Sequence, residues 1–394
     1  MELFWLEHKK LWRKKIVKIC VLLCFVYCVI FGSILLFQWF GFGSSDDYTS
    51  AFGNNFDGYT VIKDSQEYAL SFGGELTDET LQKIVSDYQQ MEADGMGEEL
   101  EKTDWQIVNS WLGTLYPELR DTSNYKTMIS YVDPDKLTGF YERRQQVLDE
   151  FLEVSGQVGA EKEFLHQIER KVEKPFHYEW VEGWSTLLGS MVADLGVVMA
   201  LFLGIVLSSL FAGEWHDNTS TLVLTTRNGW GKIALAKILT GLAFTVELFA
   251  LLAVSSVISQ LFFMGTAGWD MPIQNIKLIA VAPMNMLQAE IYEYAFVLLG
   301  AIGFAGIVMF ISAAVKNNVL TLLLSLAVVY GPMMIAEYLP YGMQKALDLI
   351  PLVGSSTDIF RTNTFRIFGK LIWSPYLLIT IPVLIGILCM PFAI

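Results

Sequence analysis

The chain has 394 residues, 53% of them hydrophobic and 17% charged, with 27 Lys+Arg set against 41 Asp+Glu. The acidic excess is local: residues 43–183 hold 29 acidic and 12 basic side chains, and the remainder holds 12 and 15. No basic surface is left for nucleic acid, and apolar runs of bilayer length rule out a single soluble enzyme domain.

Residues 1–15, MELFWLEHKKLWRKK, mix aromatics with Lys and Arg as an amphipathic helix lying in a membrane interface does. Residues 16–41 are longer than a signal-peptide apolar region and lack a small-x-small cleavage site, so a retained span is expected. Cys20, Cys24 and Cys28 share one face of it, as small packing residues.

Residues 42–185 are expected to form a helix-rich α+β extracellular domain. It contains no Cys, so it should fold by itself without disulfides. Short strands are expected at Tyr59–Ile62, Tyr68–Phe72 and Met128–Val132. Thr77 should cap a helix running to about Met91, and Asp104–Leu115 repeats apolar residues at helical spacing. Asp133 should open a helix to about Val154, followed by another over Ala160–Glu173. Neither Asp94 with Gly95 and Gly97 nor Asp133 with Asp135 has the spacing of a calcium loop. His166 and His177 lie too far apart to indicate zinc, so no metal is expected.

Five further spans are expected at 187–212, 233–264, 291–315, 319–339 and 371–394. They are joined by a cytoplasmic segment at 213–232, an extracellular loop at 265–290, and a re-entrant or interfacial loop at 340–370. With six spans both termini share a side, and the Lys and Arg of 9–18, with Arg227, Lys232, Lys237 and Lys316, make that side cytoplasmic. Asp194 and Glu247 fall inside spans, where a charge costs about 2.5–3.5 kcal/mol and usually faces protein, so both are candidates for a translocation path. Glu247 reads equally as a path residue or a structural partner; Asp194, nearer the interface, reads more as structural. Glu290 and Glu293 are expected as solvated boundary residues.

The segment between the second and third spans reads GEWHDNTSTLVLTTRNGW from Gly213 to Trp230. An acidic residue at the span end, a polar turn, Thr, a Leu-Thr-Thr run and a Lys before the next span resemble the coupling segment of ABC-2-type permeases. Glu214, Thr219, Leu222, Leu224, Thr225, Thr226 and Lys237 occupy those places, while Asn218 stands where Gly is usual and Arg227 where Pro is common. The layout, an interfacial helix, one span, a large domain and five spans, is similar to Gram-positive bacterial permeases of this type. So are FYERR from Phe140 and KPFHYEW from Lys174.

The resemblance implies a type V exporter-like architecture in a bacterial plasma membrane. Glu214, Trp215, His216, Asn218, Thr219, Leu222, Leu224, Thr225 and Thr226 would dock on a cytoplasmic ATPase. A second permease, identical or a sister chain, would complete the assembly. No GxxxxGK[ST] occurs, so no cofactor is expected in this chain and ATP and Mg belong to the partner ATPase. HExxH and GxSxG are missing too, which argues against an enzyme. The alternative outside transport is a membrane-anchored secretion component or surface receptor; an adjacent gene for an ATP-binding cassette protein would separate the two.

Overall fold

The computed structural model describes residues 2–39, 66, 73–96, 105–121, 126–216, 229–354, 360 and 362–393. The strands expected at Tyr59–Ile62 and Tyr68–Phe72 lie outside them. The chain opens with α1 (Glu2–Arg13) and α2 (Lys15–Trp39), which meet at Lys14. A polar domain follows: β1 (Gly74–Glu75), α3 (Asp78–Ala93), α4 (Trp105–Leu115), α5 (Phe140–Val154), α6 (Ala160–Glu169) and β2 (His177–Tyr178). Then come α7 (Glu182–Thr186), a π-turn at Leu187–Met191, α8 (Val192–Leu207), α9 (Ser209–His216), α10 (Gly229–Met264), α11 (Met286–Val315) and α12 (Asn318–Ile335). The chain closes with α13 (Tyr341–Leu347), the β3 (Thr364–Ile367) and β4 (Lys370–Trp373) hairpin, and α14 (Ser374–Cys389).

Among the described residues, five stretches are long and apolar enough to cross a membrane: Leu195–Trp215, Gly231–Met264, Met286–Val315, Asn318–Ile335 and Ser374–Ala393. This is the make-up of an α-helical polytopic membrane protein. Their apolar side chains build one core from α8, α10, α11 and α14, joined by Leu11 of α1 and by Val17, Cys20 and Cys24 of α2. Cys20 and Cys24 are thus buried packing residues. The closest approach is between α11 and α14. A Cβ on Gly303 would overlap the Pro382 carbonyl, and one on Gly306 would overlap the Gly386 backbone. Small residues there let two backbones touch, which is how apolar helices gain contact in lipid.

In the polar domain the Thr77 hydroxyl caps α3 by accepting from the Thr80 amide at 3.2 Å, as its sequence predicts. Met128–Ser130 is a 3-10 turn instead of a strand. Its Met128 and Ile129 are buried beneath α3 and α4, where Gln89 donates to the carbonyls of Ile129 and Val132. Asp133 starts a short 3-10 turn at Pro134–Lys136, and the helix proper begins only at Phe140, after Gly139 in a left-handed conformation (φ +71°). There the Asp78 carboxylate accepts from the Gly139 and Phe140 amides at 2.7 and 2.9 Å.

The domain does not close on itself. Leu278 enters its core, and Met271, Ile273 and Ile279–Ala282 pack on Leu148, Leu152 and Leu165. These residues come from the connection between α10 and α11, so in the full chain the core of the polar domain is shared with that connection. The joint is polar as well. Fully buried Arg144 donates from Nε to the Leu278 carbonyl (2.7 Å), from Nη2 to the Ala280 carbonyl (3.2 Å) and from Nη1 to Glu169 (2.6 Å). Trp111 Nε1 donates to the Asn275 carbonyl, and Asn275 Nδ2 donates to that of His177. Burial acts to raise the Glu169 carboxyl, but hydrogen bonds from Lys174 and Arg144 outweigh it and hold the group below its usual range.

Two outcomes follow from this packing. Gly306→Val should force α11 from α14 and cost about 2 kcal/mol, read as a lower melting temperature of the chain in detergent. Glu169→Gln should cost about 3–5 kcal/mol, because Arg144 stays buried with a lost counter-charge. Since the Glu169 carboxyl is lowered in the folded chain, its contribution is complete at neutral pH and fades as pH falls through that lowered value. The wild-type melting temperature should therefore drop more steeply on acidification than that of Glu169→Gln.

Candidate coupling site at the α9–α10 junction

The α8–α9 helix breaks at Ser208, three residues before a run of backbone groups that need new partners. The Ser312 hydroxyl of α11 takes them up. It accepts from the Phe211 and Ala212 amides at 3.2 and 3.0 Å and donates to the Ser208 carbonyl at 2.7 Å, using its full hydrogen-bonding capacity. The Leu210 carbonyl accepts from Lys237 Nζ of α10 at 2.6 Å. So α9 is a short stub held at an offset from α8 and stitched to both neighbours.

Lys237 is the centre of this junction. It is 2% exposed, lies over the Phe211 ring, and has Glu214 Oε1 at 2.8 Å and Glu7 Oε2 at 4.0 Å. Lys10 lies 3.5 Å from Glu214 and 3.9 Å from Glu7. Two acids and two ammonium groups from three helices therefore alternate around a cavity of about 40 Å³. A buried charge is tolerated when it is paired and hydrogen-bonded, and Lys237 is both.

The structure thus brings together Glu214 and Lys237, two residues the sequence singled out, and adds Glu7 and Lys10, which it did not. The N-terminal helix, expected to lie in a membrane interface, also packs along α10, with Trp12 edge-on to Phe244 at 5.9 Å. The available signal was the Phe4, His8, Trp12 stripe at helical spacing with Glu7 and Lys10 one turn apart.

Trp215 sits 3.9 Å beneath Lys316 Nζ, a cation–π contact that ties α9 to the end of α11. His216 ends α9. Asn218, Thr219, Leu222, Leu224, Thr225 and Thr226 belong to 217–228, outside the described residues. Glu247 is 41% exposed and accepts from Trp12 Nε1 at 3.0 Å, with His8 Nε2 at 3.1 Å; its partners are on the N-terminal helix. Asp194 lies in the first turn of α8, and its side chain is outside the described set.

Glu290 and Glu293 depart from expectation. Both are buried, 3% and 0% exposed, because α11 starts at Met286 with an Asn285–Gln288 capping box and passes beneath the polar domain before entering the bundle. Elsewhere, a cleft of about 370 Å³ opens where the domain meets the 270–288 stretch, and Lys171, Glu173, His177 and Asp270 give it walls of both charges. No family model, curated protein or solved structure matches the chain.

Lys237→Met should destabilise the chain by about 3 kcal/mol, since Glu214 then keeps its burial without its closest cation. Adding Glu214→Gln should recover much of that loss. Thermal melts of the four members of this double-mutant cycle measure the coupling.

Proposed function

We propose that this chain is the membrane-spanning permease subunit of an ABC-2-type exporter. It couples ATP hydrolysis by a separate cytoplasmic ATPase to export of a substrate such as a peptide, antibiotic or lipid-like compound. On this reading α2, a 25-residue apolar helix, is the sixth span. Both termini face the cytoplasm, the polar domain is extracellular, and the membrane is a bacterial plasma membrane. A second permease, identical or related, pairs with this one.

The observation that carries the reading is the Glu214–Lys237 contact at 2.8 Å. These residues flank the 217–228 segment, so its two roots are clasped by one buried ion pair. A force applied to the segment enters α9 and α10 together, then α11 through Ser312 and α1 through Glu7 and Lys10. That is the mechanical property a transmission element needs, because packed helices move as rigid bodies and not as a continuum. Leu222 and Leu224, interspersed in sequence with Thr, fit a subunit contact of the buried-anchor kind.

The test is cysteine crosslinking from Thr219→Cys and Thr225→Cys to the cassette ATPase that co-purifies with the full chain, with and without nucleotide. Crosslinks whose yield changes with nucleotide are expected. Leu222→Ala with Leu224→Ala should weaken co-purification of the ATPase, as loss of an anchor worth about 2 kcal/mol does. A transport-competent complex that gives no crosslink in either state would overturn the reading, and absence of any cassette ATPase partner would favour the secretion or receptor alternative.

A further inference from the structure

The bundle contains a second group of ionisable side chains, at the end opposite Lys237. Glu290 and Glu293 are one turn apart on α11, and none of their four carboxyl oxygens has a hydrogen-bond partner by distance and angle. They are close enough to act on one another electrostatically. The Tyr294 hydroxyl faces Glu290 and is shared with Ser256 of α10 at 2.8 Å.

What neutralises them can be asked of the elements packed along α11. Among the described residues, α5 and α6 share a core with Met286 and Ala289 of α11, but their cations are paired elsewhere: Arg143 with Glu118, Arg144 with Glu169, Lys162 with Glu153, His166 with Asp149 and Arg170 with Glu163. The π-turn (LLGSM), α8, α12 and α14 carry no Lys, Arg or His, and α7 (EGWST) adds only Glu182. On α10 the cations are Lys232 and Lys237, and on α9 it is His216; all three belong to the far end. Lys237 is separated from Ser256 by about 28 Å of helix at 1.5 Å per residue. Among the described residues of α7, α11 and α14, the other titratable groups toward that end are acids and phenols: Glu182, Tyr292, Tyr294 and Tyr376. Two bare carboxylates side by side in an apolar interior are untenable. Their desolvation costs several kcal/mol each and their repulsion adds to it.

We propose that Glu290 and Glu293 form a buried proton-binding site, occupied in the packing seen here and emptied when α11 loosens from α10 and water reaches the carboxyls. The packed arrangement binds more protons than the loosened one. Acid therefore favours packing and alkali favours opening, by about tenfold per pH unit in the equilibrium for each proton released. This site does not depend on the ATPase reading and would give the chain a response to pH at its domain-bearing end.

The experiment uses the full chain in nanodiscs. Dicyclohexylcarbodiimide partitions into apolar regions and reacts with protonated carboxyls, so peptide mass spectrometry at about pH 7 should find Glu290 or Glu293 modified. A water-soluble carbodiimide should spare both. Hydrogen exchange of 256–264 and 286–293, corrected for intrinsic rate, should quicken with rising pH in the wild type and lose that dependence in Glu290→Gln/Glu293→Gln. Three results would overturn the proposal. One is no modification of either residue by the apolar reagent. Another is protection by Na⁺ or K⁺ at constant pH, which would mean a metal cation fills the site. The third is a pH dependence of exchange that survives in the double variant.

Discussion

A lysine ammonium placed inside an apolar helix bundle must bring its counter-charges with it, and the α9–α10 end of this molecule is organised around that demand. Lys237 has one carboxylate from α9 and one from α1 within ion-pair distance, and it spends a further hydrogen bond on the buried Leu210 carbonyl in the first turn of α9. Each of those partners is distant in sequence, so satisfying one charge fixes the relative position of three helices. Hydrophobic packing alone is non-directional and would tolerate sliding; a buried, multiply bonded ammonium would not.

The opposite end uses a different solution. The connection between α10 and α11 is shared property: its carbonyls receive Arg144, its side chains complete the cores of the polar domain, and Asn275 holds the β2 carbonyl of His177. Two Trp after β2 bond to backbone at the end of α10 and just beyond it. Trp180 Nε1 donates to the Met264 carbonyl and Trp184 Nε1 to that of Ala267. The hairpin before α14 adds Thr364 bonded to Gln157 and Arg366 paired with Glu161. The polar domain thus rests on segments contiguous with three of the apolar helices, and a rearrangement of the domain is communicated to them without a flexible linker between.

What was legible in the sequence divides along physical lines. Apolar runs of bilayer length and the Thr77 cap are local signals. Five apolar helices long enough to cross a membrane overlap the expected runs, with some ends shifted by several residues, and Thr77 caps α3. Met128–Val132 shows the limit of local reading: a short apolar run fits a strand or a buried turn equally well, and the neighbouring Gln89, far away in sequence, settled it by taking the carbonyls. Hydropathy delayed the start of α11 to Ile291, although the capping residues begin it at Met286, and that error made Glu290 and Glu293 look like boundary residues. The partners of Lys237 on α1 were out of reach for the same reason, since a charge pattern states which groups exist and not which ones meet.

The length of α10 has a mechanical consequence. Its 36 residues make a rod of about 54 Å, against about 30 Å for a bilayer's hydrocarbon, so it outreaches the membrane it is fit to cross. One end holds Lys237 and the other continues into the stretch clamped by Arg144. A stiff rod that tilts as one body moves its two ends in opposite directions. A tilt of about 10° about its middle would carry each tip about 5 Å in opposite directions, so a displacement imposed at one face of the bundle is returned at the other with its sign reversed.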